Sequence, residues 1–180
     1  MFCPRLVAGA ALCLLATAPA LAATNLLVNG SFESNFTGWT HTGAVEIRTD
    51  ENPSDGTKQA VFNWGNVAGT GVLSQTFATT AGATYSLSFD YGGFASPNPQ
   101  TLGYAVQGTG TLLSGYVVDI GTVPTSYLSY TGSFVADGAF ATLYFADGTS
   151  LANSFASDLV LDRVVVQQTL AAPVPAWALD

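Results

Sequence analysis

Apolar and polar side chains alternate along much of the chain, most clearly at residues 85–91. The apolar positions are Tyr85, Leu87, Phe89 and Tyr91, and the polar positions between them are Ser86, Ser88 and Asp90. A period of two places one set on each face of a β-strand, so this segment predicts a half-buried strand. Similar segments predict strands at residues 44–48, 59–64, 71–77, 101–107, 112–119, 127–135, 139–146 and 159–167.

Turn-forming residues separate these segments, and no helical periodicity is found after the first 22 residues. Asp137-Gly138 stands between two apolar runs and predicts a tight hairpin. Residues 159–166 are apolar on both faces except at Asp162 and Arg163, which predicts a central strand. Nine or ten short strands in one domain predict an all-β fold, a single β-sandwich of the jelly-roll type.

Three segments differ in character and predict the domain organisation. Residues 1–22 have the basic start (Arg5), the short apolar stretch and the small-residue cleavage site of a signal peptide. Residues 23–168 form the predicted sandwich, and residues 169–180 form a tail rich in proline and alanine. Both cysteines lie within the leader, so the exported chain is expected to have no disulfide and no cysteine metal site.

The charge balance excludes some partners. Without Arg5, three basic residues stand against twelve acidic ones, a net charge of −9. No row of cations is present that would neutralise the phosphates of a nucleic acid or attract anionic lipid. We therefore expect no nucleic-acid partner and no membrane insertion of the mature chain, and the sequence does not indicate an oligomeric state.

Asp162 is unusual because aspartate is depleted within strands and a buried carboxylate needs a partner. Arg163 is adjacent, and adjacent side chains on a strand point to opposite faces, so the partner is expected elsewhere. Either a cation or backbone donors would serve. Glu33, in a loop after the first apolar run, is the second carboxylate of a possible Ca²⁺ site with oxygen ligands.

Several motifs in order resemble the galactose-binding-like jelly roll, a group that includes many carbohydrate-binding modules. They are Asn-Leu-Leu-Val-Asn-Gly-Ser-Phe-Glu at residues 25–33 followed by Gly38-Trp39, then residues 71–77, 82–89 and 161–164. The resemblance implies a structural Ca²⁺ bound by Glu33 and Asp162, with further ligands at Ser31 and around Asp50. The alternative is that both carboxylates only accept hydrogen bonds from turns.

Aromatic residues beside turns are the candidates for sugar binding, because an aromatic face stacks on sugar C–H groups while amides bind hydroxyls. Trp64 and Asn66 follow a predicted strand, and Tyr91 and Tyr104 flank the proline-rich loop. The alternatives are a hydrophobic edge residue at Trp64 and a core position for Tyr91, which shares the face of Phe89. Trp39, in the opening motif, is expected in the core.

Catalysis has little support in the sequence. His41 is the single histidine, which excludes a histidine-rich zinc site, and no Gly-x-Ser-x-Gly motif accompanies it. No spacing singles out a carboxylate pair suited to glycoside hydrolysis. We therefore expect no enzymatic activity and no catalytic residues.

The tail at residues 171–179 resembles the start of a PEP-CTERM sorting signal of exported Gram-negative proteins, in a degenerate or truncated form. The alternative is a plain proline- and alanine-rich terminus. The resemblance implies a secreted or cell-surface protein in an exopolysaccharide matrix. The expected function is non-catalytic binding of a surface or matrix polysaccharide, with a structural or adhesive role through protein–protein association as the alternative.

Overall fold

A computed structural model of the chain describes residues 24–50, 52–65, 67, 69–94, 98–121, 125–148 and 158–169. The predicted leader and nearly all of the predicted tail lie outside these residues. The strands are β1 (Thr40–Thr42), β2 (Val45–Arg48), β3 (Gln59–Phe62), β4 (Val72–Ala78), β5 (Thr84–Phe94), β6 (Pro99–Gln107), β7 (Thr111–Ile120), β8 (Leu128–Val135), β9 (Phe140–Asp147) and β10 (Asp158–Gln168).

The strands form two five-stranded sheets. The first sheet has the order β1-β4-β9-β6-β7, and the second sheet has the order β2-β3-β10-β5-β8. All strand pairs are antiparallel. The prediction of an all-β sandwich is confirmed, and the nine predicted strands correspond to β2–β10. The predicted central strand at residues 159–166 is also confirmed, because β10 lies in the middle of the second sheet.

The core lies between the sheets and is built from the apolar positions of the alternating segments. Leu87 and Phe89 of β5 face Leu143 and Phe145 of β9 across it, and all four are buried. Phe89 meets Phe145 edge to face at 5.0 Å. Trp39 is buried in this core, as expected, and its indole N–H donates to the Asn29 carbonyl at 3.1 Å.

The predicted hairpin at Asp137-Gly138 is wrong. These residues connect β8 of the second sheet with β9 of the first sheet, so the two flanking strands do not pair. The Asp137 carboxylate instead accepts hydrogen bonds from the backbone N–H of Thr109 (3.0 Å) and Gly110 (3.1 Å) in the β6–β7 turn. An Asp-Gly pair marks a turn, but it does not determine which strands meet beyond it.

Candidate functional site

The outer face of the first sheet carries two tyrosines separated by small residues. Strand register places Tyr116 of β7 beside Gly103 of β6, and Gly103 beside Ala146 of β9. In the next row, Tyr144 of β9 lies beside Ala105 of β6. Glycine and alanine therefore form a low floor between two aromatic side chains.

This floor is a shallow groove of about 210 Å³. Its lining consists of Gly103, Tyr104, Ala105, Gly115, Tyr144 and Ala146. A Cβ at Gly103 would have its nearest neighbour, the Ala146 carbonyl oxygen, at 3.6 Å, so the space above this glycine is open. Tyr116 at the margin is 71% exposed.

Polar groups lie beside the aromatic ones on the same face. Ser74 of β4 is opposite Tyr144, and the next row pairs Thr76 with Thr142. The two threonine hydroxyls are hydrogen bonded to each other at 2.9 Å. An exposed aromatic face next to hydroxyl groups is the combination that binds a sugar ring, by stacking on its C–H face and hydrogen bonding to its hydroxyls.

Tyr91 and Tyr104, two of the predicted sugar-binding residues, point between the sheets. The Tyr104 ring lies 4.5 Å from the Tyr130 ring and 5.7 Å from Phe89. Tyr91 packs against Phe89 at 6.1 Å. Burial raises the pKa of the Tyr91 hydroxyl, and nearby Asp119 raises it further. Both rings therefore belong to the margin of the core, as the alternation of β5 suggested for Tyr91, and Tyr104 is also one of the residues that line the groove on the first sheet.

Trp64 lies two residues beyond β3 and is half-buried. The guanidinium carbon of Arg48 is 3.9 Å from the centre of the Trp64 ring, so one face of the indole is covered by a cation. Arg48 also donates to Asp50 at 3.0 Å, and this hydrogen bond lowers the pKa of the Asp50 carboxyl. Asn66, predicted to act with Trp64, lies outside the described residues.

The residues predicted to bind calcium meet the turn before β3. The Glu33 carboxylate accepts from the backbone N–H of Thr57 and of Lys58, each at 2.7 Å. The backbone N–H and the hydroxyl of Thr57 lower the pKa of Glu33. Ser31 donates its hydroxyl to Asp55 at 2.6 Å.

Asp162 is fully buried and meets the same turn from β10. Its carboxylate accepts from the backbone N–H of Asp55 (2.8 Å) and of Arg163 (2.7 Å), and from the Ser54 hydroxyl (3.2 Å). Burial raises the pKa of Asp162 to about 6, against the lowering effect of these donors. Its partners therefore include backbone donors, one of the two expected kinds.

One feature of these residues suits a bound cation, and two do not. Asp162 is a buried carboxylate that accepts hydrogen bonds from a hydroxyl and two backbone N–H groups, all uncharged donors, and such a group favours a nearby positive charge. Within the described part of the chain, however, no three acidic, histidine or cysteine side chains cluster closely enough to hold a metal ion. Asp50, the fourth predicted ligand, is paired with Arg48. The turn at residues 54–58 contacts the other three, Glu33, Ser31 and Asp162.

A larger depression of about 360 Å³ lies on the outer face of the second sheet. Its charged groups bind each other: Arg163 Nε is 2.9 Å from Asp90, and Ser129 donates to the same carboxylate at 2.7 Å. Phe89 and Tyr130, which border it, direct their rings into the core. This depression therefore lacks an aromatic surface for stacking, unlike the groove on the first sheet.

Comparison with known protein families identifies the type of domain. Residues 24–146 match the family model described as a carbohydrate binding domain. The chain belongs to this carbohydrate binding domain family. The matched segment includes β1–β8 and β9 up to Ala146, and with them every residue that lines the groove on the first sheet. A comparison with curated proteins found no match.

Solved structures similar to this carbohydrate binding domain agree on the fold. TmCBM61, solved in complex with β-1,4-galactotriose, is 20% identical with a TM-score of 0.59, and the match covers 82% of this chain and 100% of that one. The CBM22-1 xylan-binding domain of Paenibacillus barcinonensis Xyn10C is 19% identical with a TM-score of 0.55, covering 85% and 99% of the two chains. At these identities the similarity establishes the β-sandwich fold alone.

Some similar structures are enzymes, but the match to them is partial. An α-L-arabinofuranosidase solved with arabinose is 12% identical with a TM-score of 0.57. The match covers 80% of this chain but only 26% of the enzyme chain. The similarity to this enzyme is therefore limited to about a quarter of its length, and the family match of this chain is to a binding domain.

Sequence reasoning missed the groove residues Tyr116, Tyr144 and Gly103. Tyr116 and Tyr144 alternate with core residues along β7 and β9, so the period of two already placed them on the outer faces of their strands. These two strands lie on either side of β6 because of the strand order, and the sequence alone does not specify that order.

Proposed function

We propose that this protein is a non-catalytic binding module for an extracellular surface or matrix polysaccharide, which it binds in the groove on the outer face of the first sheet. The observation that carries the proposal is the pair Tyr144 and Tyr116 on either side of the Gly103 and Ala105 floor. The family assignment supports a carbohydrate as the ligand. Export by the predicted leader would bring the module to such a polymer.

The groove suits an extended sugar chain. Tyr144 on β9 and Tyr116 on β7 have β6 between them and lie in rows two residues apart, so about 9.5 Å across the sheet and about 7 Å along it give a separation of about 12 Å. This separation allows one polymer to contact both rings while Ser74 and Thr142 bind hydroxyl groups along its side. Because the contacts are made to the sides of sugar rings, they do not require a chain end.

The charge of the protein favours a neutral polymer. The whole chain has a formal net charge of −8, so an anionic polysaccharide would be repelled at low ionic strength. One similar structure was solved with β-1,4-galactotriose, and another is a xylan-binding domain. We therefore choose β-1,4-galactan and xylan as neutral test polymers and polygalacturonate as the anionic comparison.

The test is affinity electrophoresis and calorimetry of the wild type, Tyr144→Ala, Tyr116→Ala and Trp64→Ala with these polymers. Loss of one stacking ring should weaken binding by roughly tenfold, since aromatic contacts contribute about 1 kcal/mol or more. Trp64→Ala, on a residue already covered by Arg48, should bind as the wild type does. Weakened binding by Trp64→Ala with unchanged binding by both tyrosine variants would move the site away from the first sheet.

We also propose a structural Ca²⁺ at the turn that joins Glu33 and Asp162. Its support is the buried carboxylate of Asp162, which accepts hydrogen bonds from uncharged donors, and the convergence of Glu33, Ser31 and Asp162 on residues 54–58. A bound ion would neutralise these carboxylates and hold the turn against β10. It would have no part in contacting the polymer, because the groove lies on the other sheet.

A further inference from the structure

Two long edge strands lie next to each other on one side of the sandwich. β7, of ten residues, ends the first sheet, and β8, of eight residues, ends the second sheet. The two strands are in contact across the layers. On the opposite side, the edges are the short strands β1 and β2, with three and four residues. Short strands protect an edge, so the two sides of the sandwich differ.

The long edges carry almost none of the charged residues and prolines that prevent strand pairing, although the β6–β7 ladder has a register shift between Val106 and Gln107, near the start of β7. Charged residues, lysine above all, and proline are typical protections. Within β7 and β8 the single charged residue is Asp119, and its carboxylate accepts the backbone N–H of Gly93 at 2.8 Å. Neither strand contains a lysine or a proline.

Exposed apolar side chains concentrate on the same two strands. Of the eight large hydrophobic residues exposed in the described part of the chain, five lie here: Tyr116, Val118, Ile120, Leu128 and Val135. An exposed, long and apolar edge strand is a template for pairing with another strand. The outer edge of β7 therefore has the features of a strand-pairing template.

We propose that a second copy of this chain pairs with β7 in an antiparallel arrangement across a two-fold axis at Tyr116. In such a ladder, residues opposite each other share a face, so each Tyr116 would face its equivalent. On the same face, Val118 of one copy would lie opposite Ser114 of the other, so the exposed Val118 side chain would lie beside the Tyr116 pair. Asp119 would lie opposite Leu113, so the two Asp119 carboxylates are kept apart.

The charge distribution favours a second copy at this edge. Two chains of the same negative charge repel each other, and the repulsion is smallest where the approaching surfaces carry the fewest charges. β7 and β8 together carry one acidic residue, although the chain contains twelve. This inference does not depend on carbohydrate binding, and its test contains no glycan.

Sedimentation of the purified protein over the micromolar to millimolar range tests the proposal. The wild type should form a dimer, and Val118→Lys should be a monomer, because a lysine on an edge strand opposes pairing and the variant loses the exposed apolar side chain next to Tyr116. Phe140→Lys is the matched control: Phe140 is 65% exposed but lies on the inner strand β9, so this variant should remain a dimer. Thermal unfolding should show that both lysine variants are folded.

Cross-linking tests the register separately. With Cys3 and Cys13 changed to serine, Tyr116→Cys should form a disulfide-linked dimer, since facing residues have Cα atoms about 5 Å apart. Ser114→Cys should not, because its equivalent lies four residues away along the ladder. A wild type that is monomeric throughout, a dimer that survives Val118→Lys, or equal cross-linking by both cysteine variants would overturn the proposal.

Discussion

Asp162 and Arg163 show how one backbone conformation directs two neighbouring side chains. Arg163 has a φ of 47°, in the left-handed region, and lies at an irregularity between residues 162 and 165 of the β10–β5 ladder. This conformation turns the Arg163 N–H to Asp162 and allows the guanidinium to reach Asp90. The carboxylate of Asp162 is therefore available to the turn before β3, which it holds through Asp55.

The calcium proposal predicts that Asp162→Asn will lose the response to chelator. A ligand that binds only the native state stabilises it by mass action, so chelation should lower the melting temperature of the wild type by several degrees. Asparagine keeps one acceptor for the turn but cannot bind the ion as a carboxylate does, so the variant should lack the calcium-dependent part of the stability and melt at the same temperature with calcium and with chelator. Differential scanning fluorimetry with calcium and with chelator measures both effects.

Asp137→Asn is the matched control for this experiment. Asp137 also accepts backbone N–H groups, from Thr109 and Gly110, and these donors together with the Thr109 hydroxyl lower its pKa. It lies in the connection between β8 and β9 and contacts the β6–β7 turn, away from residues 54–58. This variant should keep the full chelator response, and an equal loss of response in both variants would contradict a site at Asp162.

Asp158 predicts a dependence of stability on pH. Burial raises its pKa to about 6, Asp147 adds to the increase, and Arg48 opposes it. In the unfolded chain the pKa is close to 3.8, so between about pH 4 and pH 6 the folded state holds a proton that the unfolded state has lost. The free energy of unfolding should therefore decrease as the pH rises through this range and then level off. Asp162 acts in the same direction.

Urea unfolding at several pH values, in the presence of chelator, measures this decrease. Asp158→Asn should make it smaller, because the asparagine does not titrate in either state. Asp137→Asn should leave it unchanged between pH 4 and pH 6, since folding lowers the pKa of Asp137 and its titration lies below this range. A decrease of the same size in wild type and Asp158→Asn would show that this carboxyl is not responsible.

At the scale of strands, local alternation was enough to locate β2–β10 but not to arrange them. β1 was missed because its three residues, Thr40–Thr42, are exposed and show no alternation. The Asp137-Gly138 turn was recognised, but the strands that it joins belong to different sheets. Sheet order depends on contacts between distant segments, such as β4 with β9, and a single sequence contains no direct record of them.

The same limit explains the prediction of the sugar-binding residues. Tyr104 was chosen for its position beside a loop, whereas its side chain faces inwards because it shares the face of the buried Val106. Tyr144 alternates with the buried residues of β9 and so lies on its outer face, but its place in the groove depends on its position across β6 from Tyr116. The class of ligand could be inferred from the resemblance of motifs, whereas the position of the groove required the strand order.

β6 offers a direct test of the groove through Gly103. A Cβ there would make only ordinary contacts, with the Ala146 and Gly115 carbonyl oxygens at 3.6 and 4.0 Å. Gly103→Val should therefore keep the fold, and it should raise the free energy of unfolding by about 0.5–1 kcal/mol because valine favours strands. Its side chain would fill the floor between the tyrosines, so calorimetry should show binding weakened by at least roughly tenfold.

Gly115 on the neighbouring strand provides the contrast. A Cβ at Gly115 would collide with the Tyr104 hydroxyl, on the inner side of the sheet. Gly115→Ala should therefore lower the free energy of unfolding, which is the opposite of the effect expected for Gly103→Val. If Gly103→Val binds normally, the ligand does not enter the floor of the groove.

At the scale of the whole molecule, the groove and the proposed dimer edge are parts of one surface. Tyr116 borders the groove and also marks the proposed two-fold axis. Pairing through β7 would extend the first sheet from five strands to ten, and the outer face would continue from one copy to the other. The two grooves would then lie on the same side of the dimer, where a single long polymer can contact both.

This arrangement, which combines the proposed function with the proposed dimer, predicts that affinity depends on polymer length. Binding at the second groove would be intramolecular once the first is occupied, so a long polysaccharide should bind the dimer more tightly than a short oligosaccharide by about 10²-fold or more. In the monomeric Val118→Lys variant this length dependence should largely disappear, while affinity for a short oligosaccharide is retained because Tyr144 and Gly103 are unchanged. Phe140→Lys should behave as the wild type.

Calorimetry with a length series of one neutral glycan measures the effect. Equal length dependence in Val118→Lys and wild type would mean that one groove accounts for it, whereas loss of short-oligosaccharide binding in Val118→Lys would place residue 118 within the binding site itself.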